Sequence, residues 1–170
     1  ELAGRIKIAA VLFECIQGEG GVIPLSKDYV KFLREFTERN GILLMIDEVQ
    51  TGNGRTGRLY SYMNYGITPD IVTTAKGLGG GLPIGATLLS KKVENIFEFG
   101  DHGSTFGGNP VCCAGAYNVI SRLDEEFLSE VARKGKMLVG ALSGSPGIED
   151  ITGMGLMLGL KTKRAAADVI

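Results

Sequence analysis

The chain has 170 residues, 44% of them hydrophobic and 22% charged, with a formal net charge of −1. Disorder, coiled coil and collagen are excluded by those values, and a chain of this length can bury roughly 70% of its unfolded surface in one core. The 18 basic and 19 acidic residues are evenly mixed, so no patch gathers nucleic-acid phosphates, and no apolar run approaches the ~20 residues of a membrane span.

In chain order, Ile6 to Glu14 reads as a strand ending in an acid, followed by the turn-rich Gln17 to Gly21. Ser26 is placed to cap a helix whose apolar positions are Tyr29, Phe32, Leu33 and Phe36, with Gly41 as its left-handed stop. Ile42 to Val49 is a continuous apolar run closing on Asp47 and Glu48, the composition of a parallel strand buried on both faces. Strand, helix and strand make a crossover unit. Ile71 to Ala75 is a further short strand, closed by Lys76, and Ala86 to Ser90 is another.

From Pro110 to about Leu142 the pattern is helical, with Leu128, Val131, Ala132, Leu138, Val139 and Leu142 on one stripe. Ser143 to Gly147 is linker-like, and Ile148 to Ile151 and Leu156 to Leu160 read as strands around Gly153 and Gly155. Lys163 to Ile170 reads as a helix without a C-cap, and Glu1 to Lys7 lack the apolar core of a signal peptide. Together the ends suggest a piece of a longer protein. The three cysteines, Cys15, Cys112 and Cys113, form no disulfide framework, so a reducing, cytoplasmic setting is expected, and Cys112 and Cys113 are read as packing residues. Tyr60, Tyr62 and Tyr65 are read as surface and interface contacts.

Glycine is the compositional outlier: 26 residues, about twice average usage, with no collagen period. Gly52, Gly54 and Gly57 mimic a dinucleotide fingerprint, with Asp70 where a ribose-binding acid would sit. That reading fails, because Asp47 and Glu48 would face the pyrophosphate and Arg58 to Tyr65 is too short for a crossover helix. Leu43 to Glu48 resembles a magnesium-holding strand of P-loop ATPases, but no P-loop accompanies it. No metal-ligand set is expected.

The chemistry-bearing residues instead end successive strands, where open α/β sheets bind ligands: Glu14, Asp47 with Gln50, and Lys76. A lysine is ordinarily a surface residue. Lys76, however, stands between a strand and five glycines, Gly77, Gly79, Gly80, Gly81 and Gly85, which makes it a candidate Schiff-base nucleophile in a partly dry site. Asp47, one crossover away, is placed to hold a pyridinium nitrogen protonated.

Four segments, Phe13 to Val22 (FECIQGEGGV), Leu44 to Gly57 (LMIDEVQTGNGRTG), Pro69 to Gly85 (PDIVTTAKGLGGGLPIG) and His102 to Pro110 (HGSTFGGNP), closely resemble the class III, or ω-amino acid, pyridoxal 5'-phosphate aminotransferases. The resemblance spans nearly the whole chain. It implies the α/β large domain of the fold type I transferases, mainly parallel sheet with helices on both faces, over residues 1–117. Connecting helices over 118–144 and the beginning of a small C-terminal domain over 145–170 would follow.

The same resemblance assigns Lys76 as the cofactor lysine and proton shuttle, Asp47 as partner of the pyridine nitrogen and Gln50 as the amide near the ring hydroxyl. Thr105, with Ser104 as second candidate, would reach the cofactor phosphate of the neighbouring subunit in a homodimer. Glu14 would be an acid near the cofactor, and Glu19 a switch that pairs with a substrate-binding arginine for an ω-amine and releases it for 2-oxoglutarate. N-acetylornithine is the implied amino donor, with ornithine and 4-aminobutyrate as alternatives, and an inactive fragment is the competing reading. Cys15 stands where the family usually has proline. His102 is better read as structural than as a general base. The family's phosphate-binding and ring-stacking motifs would lie upstream of Glu1, so the 170 residues alone would bind the cofactor weakly.

Overall fold

The computed structural model describes residues 7–169. Four strands form the main sheet in the order β1 (Ala10–Phe13), β4 (Leu43–Asp47), β5 (Ile71–Thr74) and β6 (Ala86–Leu89). The first three run parallel, and β6 returns antiparallel to β5. A small antiparallel pair, β2 (Ile16–Gln17) and β3 (Ile23–Pro24), encloses the turn at Gly18 to Val22. Ile6, where the first strand was expected to begin, lies outside the described residues.

Helix α1 (Lys27–Arg39) makes the crossover between β1 and β4. Ser26 Oγ accepts from Tyr29 N at 3.2 Å, and Gly41 follows the helix at φ 66, so both expected end signals operate. Of the expected stripe Leu33 is buried, but its buried companions differ. Val30, Leu33 and Thr37 face the core, whereas Tyr29 and Phe32 are half exposed and Phe32 stacks on Phe36 at 5.9 Å. Thr37 tolerates its position because its hydroxyl donates to Arg34 O at 3.0 Å. In β4 the expected burial on both faces is also corrected: Leu44 and Ile46, on one face, are fully buried, while Leu43 and Met45 retain partial exposure.

The core joins Cys15, Val30, Ile46 and Tyr65, with Phe13, Leu25, Tyr62, Ile67 and Met154 packed around it. Tyr65 and Tyr60 are therefore buried rather than surface residues. Tyr65 lies on a 3-10 turn (Ser61–Tyr65) ended by left-handed Gly66, and its hydroxyl shares its one proton between Cys15 O at 3.0 Å and Leu25 O at 3.1 Å. Those two carbonyls satisfy the hydroxyl, which lets an aromatic ring with a polar end close the core.

The second half is two helices, α2 (Pro110–Ile120) and α3 (Glu125–Leu142), where the sequence pattern read as one stretch. The break is local chemistry: Asp124 caps α3 through Phe127 N at 2.8 Å. Asn109 caps α2 through Val111 N and Cys112 N at 3.0 and 3.2 Å, with Pro110 in the first turn. Of the expected stripe on α3 only Val131 is fully buried, and Leu138 is exposed. Cys113 is exposed too, so only Cys112 has partial packing.

A hairpin of β7 (Ile148–Met154) and β8 (Met157–Thr162) follows, longer than the two expected strands and turning at Gly155. Beyond it a 3-10 turn (Ala166–Asp168) replaces the expected terminal helix, and Ile170 lies outside the described residues. The expected boundary at residue 145 falls in the turn between α3 and β7, and that at 117 inside α2.

Candidate active site

Because β1, β4 and β5 are parallel neighbours, their C-terminal ends lie along one edge of the sheet and bring Glu14, Asp47 and Lys76 onto it. Asp47 pairs in register with Thr73, three residues before Lys76. Its Oδ1 accepts from Val49 N at 2.9 Å, and among the described residues Oδ2 has no hydrogen-bond partner. One carboxylate oxygen is thereby fixed, and the other remains available to an N–H donor.

The turn after β2 folds back onto this edge. Gly18 N donates to Glu14 Oε2 at 3.2 Å, and Gln50 Nε2 donates to Glu19 Oε1 at 3.1 Å. A Cβ on Gly18 would stand 2.6 Å from Gln50 Oε1, so a side chain at this position would push the Gln50 amide aside. Glu14, Glu19 and Gln50 are thus one connected group.

Lys76 begins a short 3-10 turn (Lys76–Gly79) with φ 44, a left-handed conformation that costs a residue with a Cβ about 1–2 kcal/mol. Three contacts hold this segment. Leu78 N donates to Ala75 O at 2.9 Å, and Asn53 Nδ2 donates to Ala75 O at 3.1 Å and to Thr74 Oγ1 at 3.0 Å. Helix α2 closes over the turn, where a Cβ on Gly115 would come within 3.1 Å of Gly79 O and clash with Leu82.

Lys76 and Gln50 share a cavity of about 240 Å³ with Val49, Gly52, Asn53, Arg55 and Gly77. Its charged lining is cationic, Lys76 and Arg55, which suits an anionic ligand. Asp47, at the end of β4, is not among the residues that line this cavity. Lys76 and Gly77 are exposed, so the expected dry surroundings are not supplied by the described residues. Thr105 and Ser104 lie on the exposed stretch 101–108 and do not line the cavity. His102 sits there as well, edge-on to Phe97 at 4.8 Å.

Glu48 was weighed in the sequence only beside Asp47, and the structure separates the two. Glu48 is fully buried, with Oε1 accepting from Ser61 Oγ at 2.7 Å and Tyr62 N at 3.0 Å, and Oε2 from Thr51 Oγ1 at 2.5 Å. These bonds hold the loop that carries Gln50, Asn53 and Arg55. The Tyr60 and Tyr62 phenols are pushed up by burial and by this carboxylate. Asn53 and Arg55 are the cavity residues that sequence reasoning missed. The signal for Asn53 was present, an asparagine between glycines, where a left-handed turn residue is common.

The family model described as aminotransferase class-III matches residues 3–170. The chain belongs to the class-III aminotransferases. This family is pyridoxal-phosphate dependent, and its α/β fold is the one observed. Acetylornithine aminotransferase of Corynebacterium efficiens is 51% identical over 152 residues, which cover 89% of this chain and 38% of that class-III protein. Acetylornithine aminotransferase of Lactococcus lactis is 47% identical over 165 residues, 95% of this chain and 44% of the relative. Among solved structures, N-acetylornithine aminotransferase of Stenotrophomonas maltophilia superposes with a TM-score of 0.81 at 36% identity, over 96% of this chain and 44% of that one. Ornithine aminotransferase of Toxoplasma gondii gives 0.84 at 36% identity, over 95% and 39%. The chain therefore spans about 40% of the length of these class-III relatives. The amine of Lys76 and the free oxygen of Asp47 are group types that fit the aldehyde and the ring nitrogen of pyridoxal phosphate.

No helix among the described residues is long and apolar enough to cross a membrane.

Proposed function

We propose that these residues carry the cofactor lysine and the pyridine partner of a cytoplasmic, homodimeric enzyme that moves the amino group of an ω-amine to 2-oxoglutarate. N-acetylornithine is the preferred donor, ahead of ornithine and 4-aminobutyrate. The observation that supports this most is the placement of Lys76, left-handed at the end of β5, beside Asp47 on the neighbouring parallel strand. Names of the relatives, acetylornithine and ornithine aminotransferases, support the donor class.

When bound, pyridoxal phosphate supplies an electron sink conjugated to the carbon that loses its proton. Lys76 would hold the cofactor through its aldehyde, and its amine would be the group that moves the proton at the amine-bearing carbon. Asp47 Oδ2 would accept from the ring N–H and favour the protonated nitrogen, and Gln50 would stand near the ring hydroxyl. Glu14 holds the turn that presents Glu19. The Glu19–Gln50 hydrogen bond supports the switch reading, since a carboxylate bound to an amide can exchange that partner for an arginine. Thr105, with Ser104, would serve the phosphate in the partner subunit.

The test is Lys76→Ala in the full-length protein. Transamination is expected to fall to background, and exchange at near wild-type rate would overturn the assignment. The donor is decided by comparing kcat/KM for N-acetylornithine and 4-aminobutyrate, where a clear preference for the latter would reverse the ranking.

A further inference from the structure

Asn53 combines three features that its surroundings do not require for packing. Its backbone is left-handed, with φ 53. Its Nδ2 spans to the adjacent strand and donates to Thr74 Oγ1 and Ala75 O, the last two residues before Lys76. Its Oδ1 is shut off from solvent and has no hydrogen-bond partner among the described residues. The amide orientation is fixed, because Ala75 O can only accept. A buried acceptor left open costs about 1–3 kcal/mol, so its retention beside a cavity points to a donor that arrives there.

We propose that Asn53 is a positioning residue for Lys76, its amide N–H₂ clamping the strand end and its carbonyl oxygen accepting from the lysine amine as that side chain turns into the cavity. The two residues line the same cavity, and a Cβ at Gly77 would lie 3.6 Å from Asn53 Cβ, so the segments are in close approach. Lys76 is exposed on a four-carbon stem, free to swing, and therefore needs a fixed partner to hold its nitrogen. The inference rests on the reading of Lys76 as the cofactor lysine.

The test uses the full-length protein stripped of cofactor, given pyridoxal phosphate and quenched with borohydride at timed intervals, with the labelled peptide weighed. Asn53→Gly keeps the left-handed backbone and removes the side chain. It is expected to slow covalent capture at Lys76 about tenfold, the scale of one lost hydrogen bond, while affinity for 4-deoxypyridoxine 5-phosphate, which lacks the aldehyde, changes less than about twofold. Asn53→Asp, which keeps the shape but cannot donate to Ala75 O, is expected to slow capture as well. Thr74→Val combined with Asn53→Gly should cost less than the sum of the two single changes, because both remove the same bond. Capture by Asn53→Gly at wild-type rate, or an equal loss of analogue affinity, would overturn the proposal. Equal trapping on Lys76→Ala would instead overturn the reading of Lys76, which separates the two failures.

Discussion

Ser61 Oγ donates to Glu48 Oε1 at 2.7 Å, and Glu48 has no exposed surface. A carboxylate so enclosed is tolerable only because hydroxyls and a backbone N–H surround it. Glu48→Ala leaves Thr51, Ser61 and Tyr62 N without their acceptor and is expected to cost about 3–5 kcal/mol of stability. Glu48→Gln, which keeps one acceptor oxygen, is expected to cost about 1–2 kcal/mol. Urea unfolding of the two variants checks the ordering, and equal midpoints would refute it.

Asp70 ties three strands together. Its Oδ2 accepts from Leu44 N at 2.8 Å and Arg34 Nη1 at 3.3 Å, its Oδ1 lies 3.6 Å from Lys92 Nζ, and its backbone O accepts from Ser90 N. Asp70→Ala orphans a buried strand N–H and an ion pair, for an expected loss of about 2–4 kcal/mol. Asp70→Asn retains the acceptor for Leu44 N and should recover about half of that. Thermal melting of both variants measures it.

Stability should fall in alkali. Burial pushes the Cys15 thiol up to about 12; a hydrogen bond with Ser61 opposes the shift and the Glu48 carboxylate adds to it. Burial likewise raises the Tyr65 phenol to about 12. Both groups are neutral when protonated, and the folded state holds those protons more tightly. Their stabilisation is complete below the ordinary values of 9.0 and 10.0 and is lost as pH rises toward 12. Each proton contributes a slope of about 1.4 kcal/mol per pH unit within its window. Between pH 9.0 and 10.0 Cys15 is the largest single contributor, with Tyr60, Tyr62 and Tyr65 adding to it, so Cys15→Ala should reduce the slope of that interval in urea titrations, and an unchanged slope would contradict the assignment.

Asp47→Ala in the full-length protein should reduce transamination by several orders of magnitude, since an unprotonated pyridine is a poor electron sink. Because Oδ1 already accepts from Val49 N, Asp47→Asn should preserve the loop while losing the charge. Its melting temperature is expected to stay within a few degrees of wild type while kcat collapses. A fall in both together would assign Asp47 a structural role.

The 170 residues alone should show little transamination and only weak uptake of pyridoxal phosphate. With Lys76 and Gly77 exposed, a bond at the lysine would be open to water and poorly oriented. Titration with pyridoxal phosphate, followed by visible absorbance, tests this. Tight stoichiometric uptake followed by bleaching on addition of N-acetylornithine would show a working enzyme.

Local chemistry determined the strands, the capped α1 and the residues at the strand ends. Alternation, caps and apolar runs act over a few residues, so the sequence carried them, and four ordered motifs carried the family. Tertiary structure alone decided what faces what. Tyr29 and Phe32 of α1 read as core beside Leu33, yet Val30 packs inward with Leu33 in their place because the crossover sets which face meets β4. Tyr65 read as surface, yet two carbonyls from distant turns accept its hydroxyl and draw it inside. Asp47 and Glu48 are adjacent in sequence and nearly identical in chemistry. Successive residues at a strand end point to opposite sides, which sent one toward the ligand edge and the other into a shell of hydroxyls. Asn53 gained its place beside Lys76 only when β4 and β5 paired, a contact set by distance through space rather than along the chain.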